Sequence, residues 1–313
     1  MDNELHVVFG TGPIGLALIE HLAAGDRRVR AVNRSGRAAV PAGVEMRGGD
    51  AADPAFSADA AAGAEVVYQC LNPPYTKWPG LFPPLQAGVV AAAAAAGAKL
   101  VAMDNLYMYG PTGGAPLTEE LPYAATGAKG ATRARMAHDL LETHRKGEVR
   151  VSIGRASDYF GPRGLLSAMG ERVFRPALAG KKAQVMGDPD LPHTYSYIPD
   201  IAKGLVILGE SDEADGKAWH LPNAATISTR EFIDQVYAAA GTDAAIQAMP
   251  RLMVTLVGLV NPTVRELKEM LYEFEEPYVV DASQFAKAFG DHATPLSEAI
   301  PSTVAWYRTN PTA

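Results

Sequence analysis

Three glycines near the start of the chain, in Gly10-Thr11-Gly12-Pro13-Ile14-Gly15, carry the clearest chemical signal in the sequence. A short apolar run from His6 to Phe9 leads into them, and a helical pattern through Leu22 follows. Glycines at this spacing let backbone N–H groups at the positive end of a helix dipole approach a pyrophosphate without side-chain interference. Gly10 and Gly12 serve the tight turn and the close approach, and Gly15 lets the helix lie against the strand. Pro13 fits, because the first helical turn needs no donor there and a fixed φ suits helix entry. The reading is a dinucleotide site formed by Gly10 to Gly15. A plain αβ turn is the alternative, and the strand-before, helix-after context weighs against it.

Further candidates stand at the ends of the later strands. The second strand, Val29 to Val32, runs into Asn33-Arg34-Ser35-Gly36-Arg37. An acidic residue at this point bonds the 2′-hydroxyl of the adenosine ribose, whereas arginine accepts a 2′-phosphate. No carboxylate is present and Arg34 and Arg37 flank Ser35, which favours NADP(H) over NAD(H); a solvated basic loop is the alternative. The third strand, Val44 to Arg47, is followed by Gly48-Gly49-Asp50. Asp50 either faces the adenine amino group or caps the helix that begins near Asp53-Pro54. The fourth strand, Val66 to Leu71, gives way to Asn72-Pro73-Pro74-Tyr75. Leu71 and Asn72 then pass beside the cofactor, and Tyr75 becomes a substrate-side candidate. The fifth strand, Lys99 to Met103, ends in Asp104-Asn105-Leu106-Tyr107-Met108-Tyr109-Gly110-Pro111. Open α/β sheets bind ligands outside the carboxyl ends of their strands, so this cluster holds the best catalytic candidates. A helix from about Gly127 to Lys146 follows, with Lys129, Arg133, Arg135 and His138.

The elements that position these residues alternate as strand and helix through a sixth strand, Arg150 to Gly154. That pattern implies an α/β fold with a doubly wound parallel sheet. The alternation then loosens. Short strands are expected around Gln184–Met186, Tyr195–Ile198 and Ala218–Leu221. Helices are expected from Pro199, over Ser228–Gly241, around Leu252–Glu275 and over Leu296–Arg308. The expected division is a dinucleotide-binding domain over 1–160 and, over 161–313, a mainly substrate-binding lobe, parts of which return to the sheet.

Composition narrows the partners. A net charge of −7 over 313 residues argues against nucleic acid and against an anionic membrane. The longest apolar run near the end, Leu252 to Val260, is too short to span a bilayer. The first strand begins within a few residues of Met1, so no secretory leader is expected, because cleaving one would remove the nucleotide site. A single cysteine, Cys70, suits the cytoplasm and reads as a packing residue. The seven histidines show no paired ligand spacing, so no metal is expected.

With these residues assembled, the chain resembles the extended short-chain dehydrogenases/reductases of the NAD(P)-dependent epimerase/dehydratase type, in their atypical branch. The matching segments are Gly10 to Gly15, Gly49-Asp50, Met108 to Pro111, Thr118-Glu119, Lys129, Arg155 to Pro162, Tyr197 to Ala202, and Trp306. The resemblance implies a Rossmann-type sheet with a smaller, discontinuous C-terminal substrate lobe. It also implies a homodimer packed through the Pro84–Gly97 and Gly127–Lys146 helices. The family's chemistry pairs a proton-moving tyrosine with a lysine four residues on, so that both share one helix face, and adds a Ser or Thr at the end of the fifth strand. Lys129 matches the lysine, but Ala125 stands at the tyrosine position and Asn105 at the Ser/Thr position. Tyr107, two residues beyond Asn105, would emerge on the same side of an extended segment. Tyr123 serves instead if the chain enters the helix irregularly; a third possibility is that no proton donor exists. Asp158 matches a substrate-facing polar position.

Two functions follow as expectations. One is an NAD(P)(H)-dependent oxidoreductase or epimerase-like enzyme moving hydride to or from a small carbonyl or alcohol substrate, with Tyr107, Asn105 and Lys129 as its catalytic residues. The other is a non-catalytic redox sensor or regulator that kept the nucleotide site and lost the tyrosine.

Overall fold

The computed structural model describes residues 4–25, 27–249, 251 and 268–311. It separates into two compact units. The first comprises Met1–Met108, Ala125–Arg155 and Ile201–Leu221, and the second Tyr109–Ala124, Ala156–Asp200 and Pro222–Ala313.

The first unit is built on β1 (Leu5–Phe9), whose five residues are all buried. A strand buried on both faces belongs at the centre of a parallel sheet covered by helices. The other strands are β2 (Arg28–Asn33), β3 (Glu45–Gly48), β4 (Ala64–Gln69), β5 (Lys99–Asp104), β6 (Val151–Arg155) and β7 (Lys217–His220). All pair in parallel, in the order β7-β6-β5-β4-β1-β2-β3. The connections run one way from β1 to β3 and the other way from β4 onward. The strand order therefore reverses beside β1, and ligands bind at such switch points. The doubly wound α/β class expected from the sequence is the class observed.

Five helices accompany this sheet: α1 (Pro13–Ala24), α2 (Pro54–Ala60), α3 (Trp78–Ala96), α4 (Ala128–Arg145) and α5 (Ile198–Glu210). Helix α1 packs on β1 and β2, while α3 packs on β4, β5, α2 and α4. Helix α3 begins at Trp78 and runs through Pro83 and Pro84, although the sequence suggests Pro84 as its start. Burial decides this: Trp78 and Phe82 form a core cluster with Met136 of α4, and that packing outweighs the proline preference for a terminus. Its end is conventional, with Gly97 left-handed at φ 66°. The stretch Tyr75–Ala96 is long and apolar enough, by length and composition, to cross a membrane. In this fold it covers the sheet, with Val89, Ala92 and Ala93 fully buried.

The second unit contains short strand pairs and helices around an aromatic core. Asp158–Phe160 pairs in parallel with Tyr195–Tyr197, and Ala183–Met186 with Ile246–Met249. Phe160, Phe174, Phe232 and Tyr307 interlock, with ring centroids 4.9 to 6.4 Å apart. Helix Thr229–Ala240 is closed at its start by a capping box between Ser228 and Glu231. Of the helix expected around Leu252–Glu275, residues 252–267 lie outside the described residues, and Lys268–Phe274 forms a 3-10 helix.

Candidate functional site

The turn between β1 and α1 is defined by its glycines. Gly10 is in the left-handed region at φ 110°, and a Cβ there would stand 2.4 Å from the Cys70 carbonyl oxygen. A Cβ on Gly15 would lie 2.0 Å from the Gly10 carbonyl oxygen. These two glycines are therefore required by the protein itself. Gly12 is different: a Cβ there would meet nothing within 4 Å. It is exposed, occupies the N-cap of α1 and supplies no side-chain cap to the first-turn N–H groups. Uncapped donors at a helix start, with open space above the one glycine the fold does not need, fit a diphosphate. Thr11, Pro13 and Ile14 complete this turn, and Thr11 Oγ1 accepts from Asn33 Nδ2 at 2.8 Å.

The loop after β2 is folded on itself. Asn33 Nδ2 also donates to the Arg37 carbonyl at 2.9 Å, and Asn33 Oδ1 accepts from Gly36 N–H at 2.7 Å and Ser35 Oγ at 3.2 Å. Arg34, Ser35 and Arg37 are exposed at its rim. After β3, Asp50 is exposed and its carboxylate accepts from Ala52 N–H at 3.0 Å, while Asp53 caps α2 by accepting from Ala55 N–H. Beyond β4, Cys70 N–H bonds the Phe9 carbonyl, and burial pushes the thiol up to about 12. Leu71 follows beside Gly10, and Asn72 is exposed.

Between β5 and α4 a second kind of site is built from side chains. Lys129 is 1 % exposed, with Nζ 4.6 Å from the centre of the Tyr75 ring. One turn on, the Arg133 guanidinium lies 4.6 Å from the Trp78 ring and 4.1 Å from Phe82. Trp78 meets Tyr75 edge-on and stacks on Tyr107 at 5.8 Å. At the end of β5, Asp104 pairs with Arg133 at 3.3 Å and with the fully buried Arg155 at 3.5 Å. Lys129, Arg133, Tyr75, Trp78, Tyr107 and Asp104 thus form one aromatic and ionic layer beyond the carboxyl ends of β4 and β5.

One sequence expectation needs correction here. The chain does not stay extended after β5: Asn105 N–H donates to Asp104 Oδ1 at 2.9 Å and Tyr107 N–H to Asn105 Oδ1 at 3.2 Å, closing a turn. Strand alternation therefore does not relate Tyr107 to Asn105; the stack on Trp78 places the phenol. Position 125 lies before α4, which starts at Ala128, next to the start near Gly127 expected from the sequence. Ala125 is fixed by donating to the Met108 carbonyl at 3.1 Å, in the space that a Cβ on Gly130 would enter at 2.4 Å.

In the second unit, Tyr123 meets Tyr109 edge-on at 6.0 Å. Asp158 Oδ2 lies 3.0 Å from Nε2 of His193, whose 3 % exposed ring is stacked against Tyr195 and Phe274 and tilted against Tyr278. Nearby, burial and then the charge of Asp158 hold Glu273 well above the usual carboxylate range, against a 3.0 Å hydrogen bond from Tyr278. Among the described residues, no group of three or more His, Cys, Asp or Glu is arranged to hold a metal ion.

The pairing of Asp104 with Arg133 and Arg155 is not evident from the sequence. The four-residue step from Lys129 to Arg133 was the available signal, because it puts two cations on one helix face. His193 and Glu273 carried no such signal, since their partners are distant in sequence.

The model of the NAD dependent epimerase/dehydratase family matches residues 7–221. A dTDP-glucose 4,6-dehydratase from Streptomyces griseus is 25% identical over 193 residues, covering 61% of this chain and 51% of that protein. The chain thus spans about half the length of this curated relative. Among solved structures, dTDP-glucose 4,6-dehydratase from Bacillus anthracis in complex with NAD matches with TM-score 0.80 at 14% identity, over 98% of this chain and 97% of that one. UDP-glucuronic acid 4-epimerase from Bacillus cereus in complex with NAD matches with TM-score 0.76 at 15% identity, over 98% and 97%. These likenesses correct the cofactor expectation. The solved relatives described with a dinucleotide hold NAD, and the NADP(H) preference read from Arg34 is overturned. The physical reason is local: the Asn33–Arg37 loop spends its polar groups on its own turn and leaves Arg34 at the exposed rim. The fold, the glycine turn and the matched span together place the chain in the NAD-dependent epimerase/dehydratase family.

Proposed function

We propose that the protein is an NAD-dependent oxidoreductase or epimerase-like enzyme acting on a small carbonyl or alcohol substrate. The observation that carries this reading is buried Lys129, held against Tyr75 in the same unit as the uncapped Gly10–Gly15 turn. The turn binds the diphosphate through backbone N–H groups, with Asn33, Ser35, Asp50, Leu71 and Asn72 along the adenosine and nicotinamide sides. Bound NAD supplies hydride acceptance and return. Lys129 holds the nicotinamide ribose, and Tyr107, with Asn105 fixing its turn, moves the proton at the substrate oxygen. Tyr75 borders the substrate in this reading, and Tyr123 and Asp158 remain further substrate-binding candidates. The protein works in the cytoplasm as a homodimer through α3 and α4; a sedimentation mass of one chain would refute the dimer.

One observation favours a second reading. The segment at Ala125 presents neither a phenol nor a helix, as suits a redox sensor that binds the dinucleotide without turnover. Single-turnover assays with NAD and a panel of small alcohols separate the two. Reduction of NAD that is lost in Tyr107→Phe supports the enzyme; tight binding with no reduction across the panel supports the sensor.

A further inference from the structure

Inside the first unit, between the carboxyl ends of β4 and β5 and the inner face of α4, lies a cavity of about 10 Å³. Its polar walls are Gln69, Gln86, Asp104 and Arg133, each more than nine-tenths buried. Gln86 is occupied elsewhere, donating from Nε2 to the Met136 carbonyl at 2.9 Å, and its contact with Gln69 Nε2 is long, at 3.5 Å. Gln69 Oε1 and Arg133 Nε are both buried and, among the described residues, neither has a hydrogen-bond partner. One is an acceptor and the other a donor.

Leaving both unmet in a low-dielectric interior is costly, and a polar cavity with room for one water and at least two partners is where proteins keep an ordered one. We infer that a single ordered water fills this cavity, accepting from Arg133 Nε and donating to Gln69 Oε1, and that Gln69 is thereby a positioning residue for α4. Rings alone do not fix a guanidinium's rotation, because the attraction of a cation to a ring face is soft within the plane. Asp104 holds one edge of Arg133 at Nη1, and the water holds the other at Nε. With Arg133 fixed over Trp78, the Trp78–Tyr107 stack and Lys129, one helical turn away, keep their places. The positioning role rests on the proposed work of Lys129 and Tyr107; the water does not.

A high-resolution crystal structure tests the first part. Density for a water within hydrogen-bonding distance of both atoms is expected. A dry cavity, or Gln69 turned to bond Arg133 directly, overturns the inference. Calorimetric titration of NAD into Gln69→Leu and Gln69→Glu tests the second part. The leucine variant, which lacks the acceptor, should bind NAD about five- to ten-fold more weakly. The glutamate variant, which keeps an acceptor, should return to within about two-fold of the parent. A merely structural role would lower the unfolding midpoint of both without this split in affinity. Two variants that bind like the parent would overturn the positioning role. If the parent itself bound no NAD, the proposed function would fail while the crystallographic water still decided this inference.

Discussion

The Gly10–Gly15 turn and the layer between β5 and α4 are both built at the carboxyl ends of parallel strands, but from different materials. The turn is backbone: its identity lies in which positions exclude a Cβ, Gly10 and Gly15, and which leaves space, Gly12. The layer is side chain: Lys129, Arg133, Asp104 and Arg155 are buried charges held by each other and by the rings of Tyr75, Trp78 and Phe82. A backbone site survives changes in its surroundings, because sterics define it. A side-chain layer fails as a unit when one partner is removed.

The largest effect that sharpens this contrast is expected at Asp104. Asp104→Ala removes a carboxylate that Arg155 also contacts and leaves the buried Arg133 without its Asp104 counter-charge, and should cost about 3–5 kcal/mol in urea unfolding. A loss below about 1 kcal/mol, the scale of an exposed pair, would show that the layer is not held ionically.

Glu273 gives a smaller, pH-dependent test of the same idea in the second unit. Its folded-state pKa is raised by burial, so the folded chain keeps a proton that the unfolded chain releases above about pH 4.3. The stability tied to that proton is complete below this pH and is lost as pH rises toward the raised value. Glu273→Gln, which cannot ionise, should therefore gain thermal stability over the parent at about pH 8 and none at about pH 4. A difference between the two proteins that does not change with pH would contradict the assignment.

The smallest effect belongs at the rim of the backbone site. Arg34 is exposed, and Arg34→Glu should shift stability by no more than about 0.5 kcal/mol and NAD affinity by less than about two-fold. A ten-fold change in NAD affinity would mean that the loop reads the cofactor after all.

The same contrast explains what the sequence made legible. The glycine turn, the run of parallel strands and the place of α4 could be read because each is a local pattern of period and sterics. The NADP(H) reading failed because an arginine near a strand end says nothing about whether its own loop leaves it at the rim. Strand alternation does not place Tyr107: Asn105 bends the chain, and Trp78, far earlier in sequence, positions the ring. The Asp158–His193 pair spans 35 residues and depends on three aromatic neighbours, none of which spacing could reveal.

Calorimetric titration of NAD into the parent and into Gly12→Ala, paired with thermal unfolding of both, probes the diphosphate seat most directly. Gly12 has an ordinary φ of −74° and open space at its Cβ, so the variant should unfold within about 1 kcal/mol of the parent. Its methyl group occupies the approach to the α1 N–H groups, so NAD should bind at least about ten-fold more weakly. A parent that gives no heat with NAD, or an alanine variant that binds NAD as the parent does, would contradict the account.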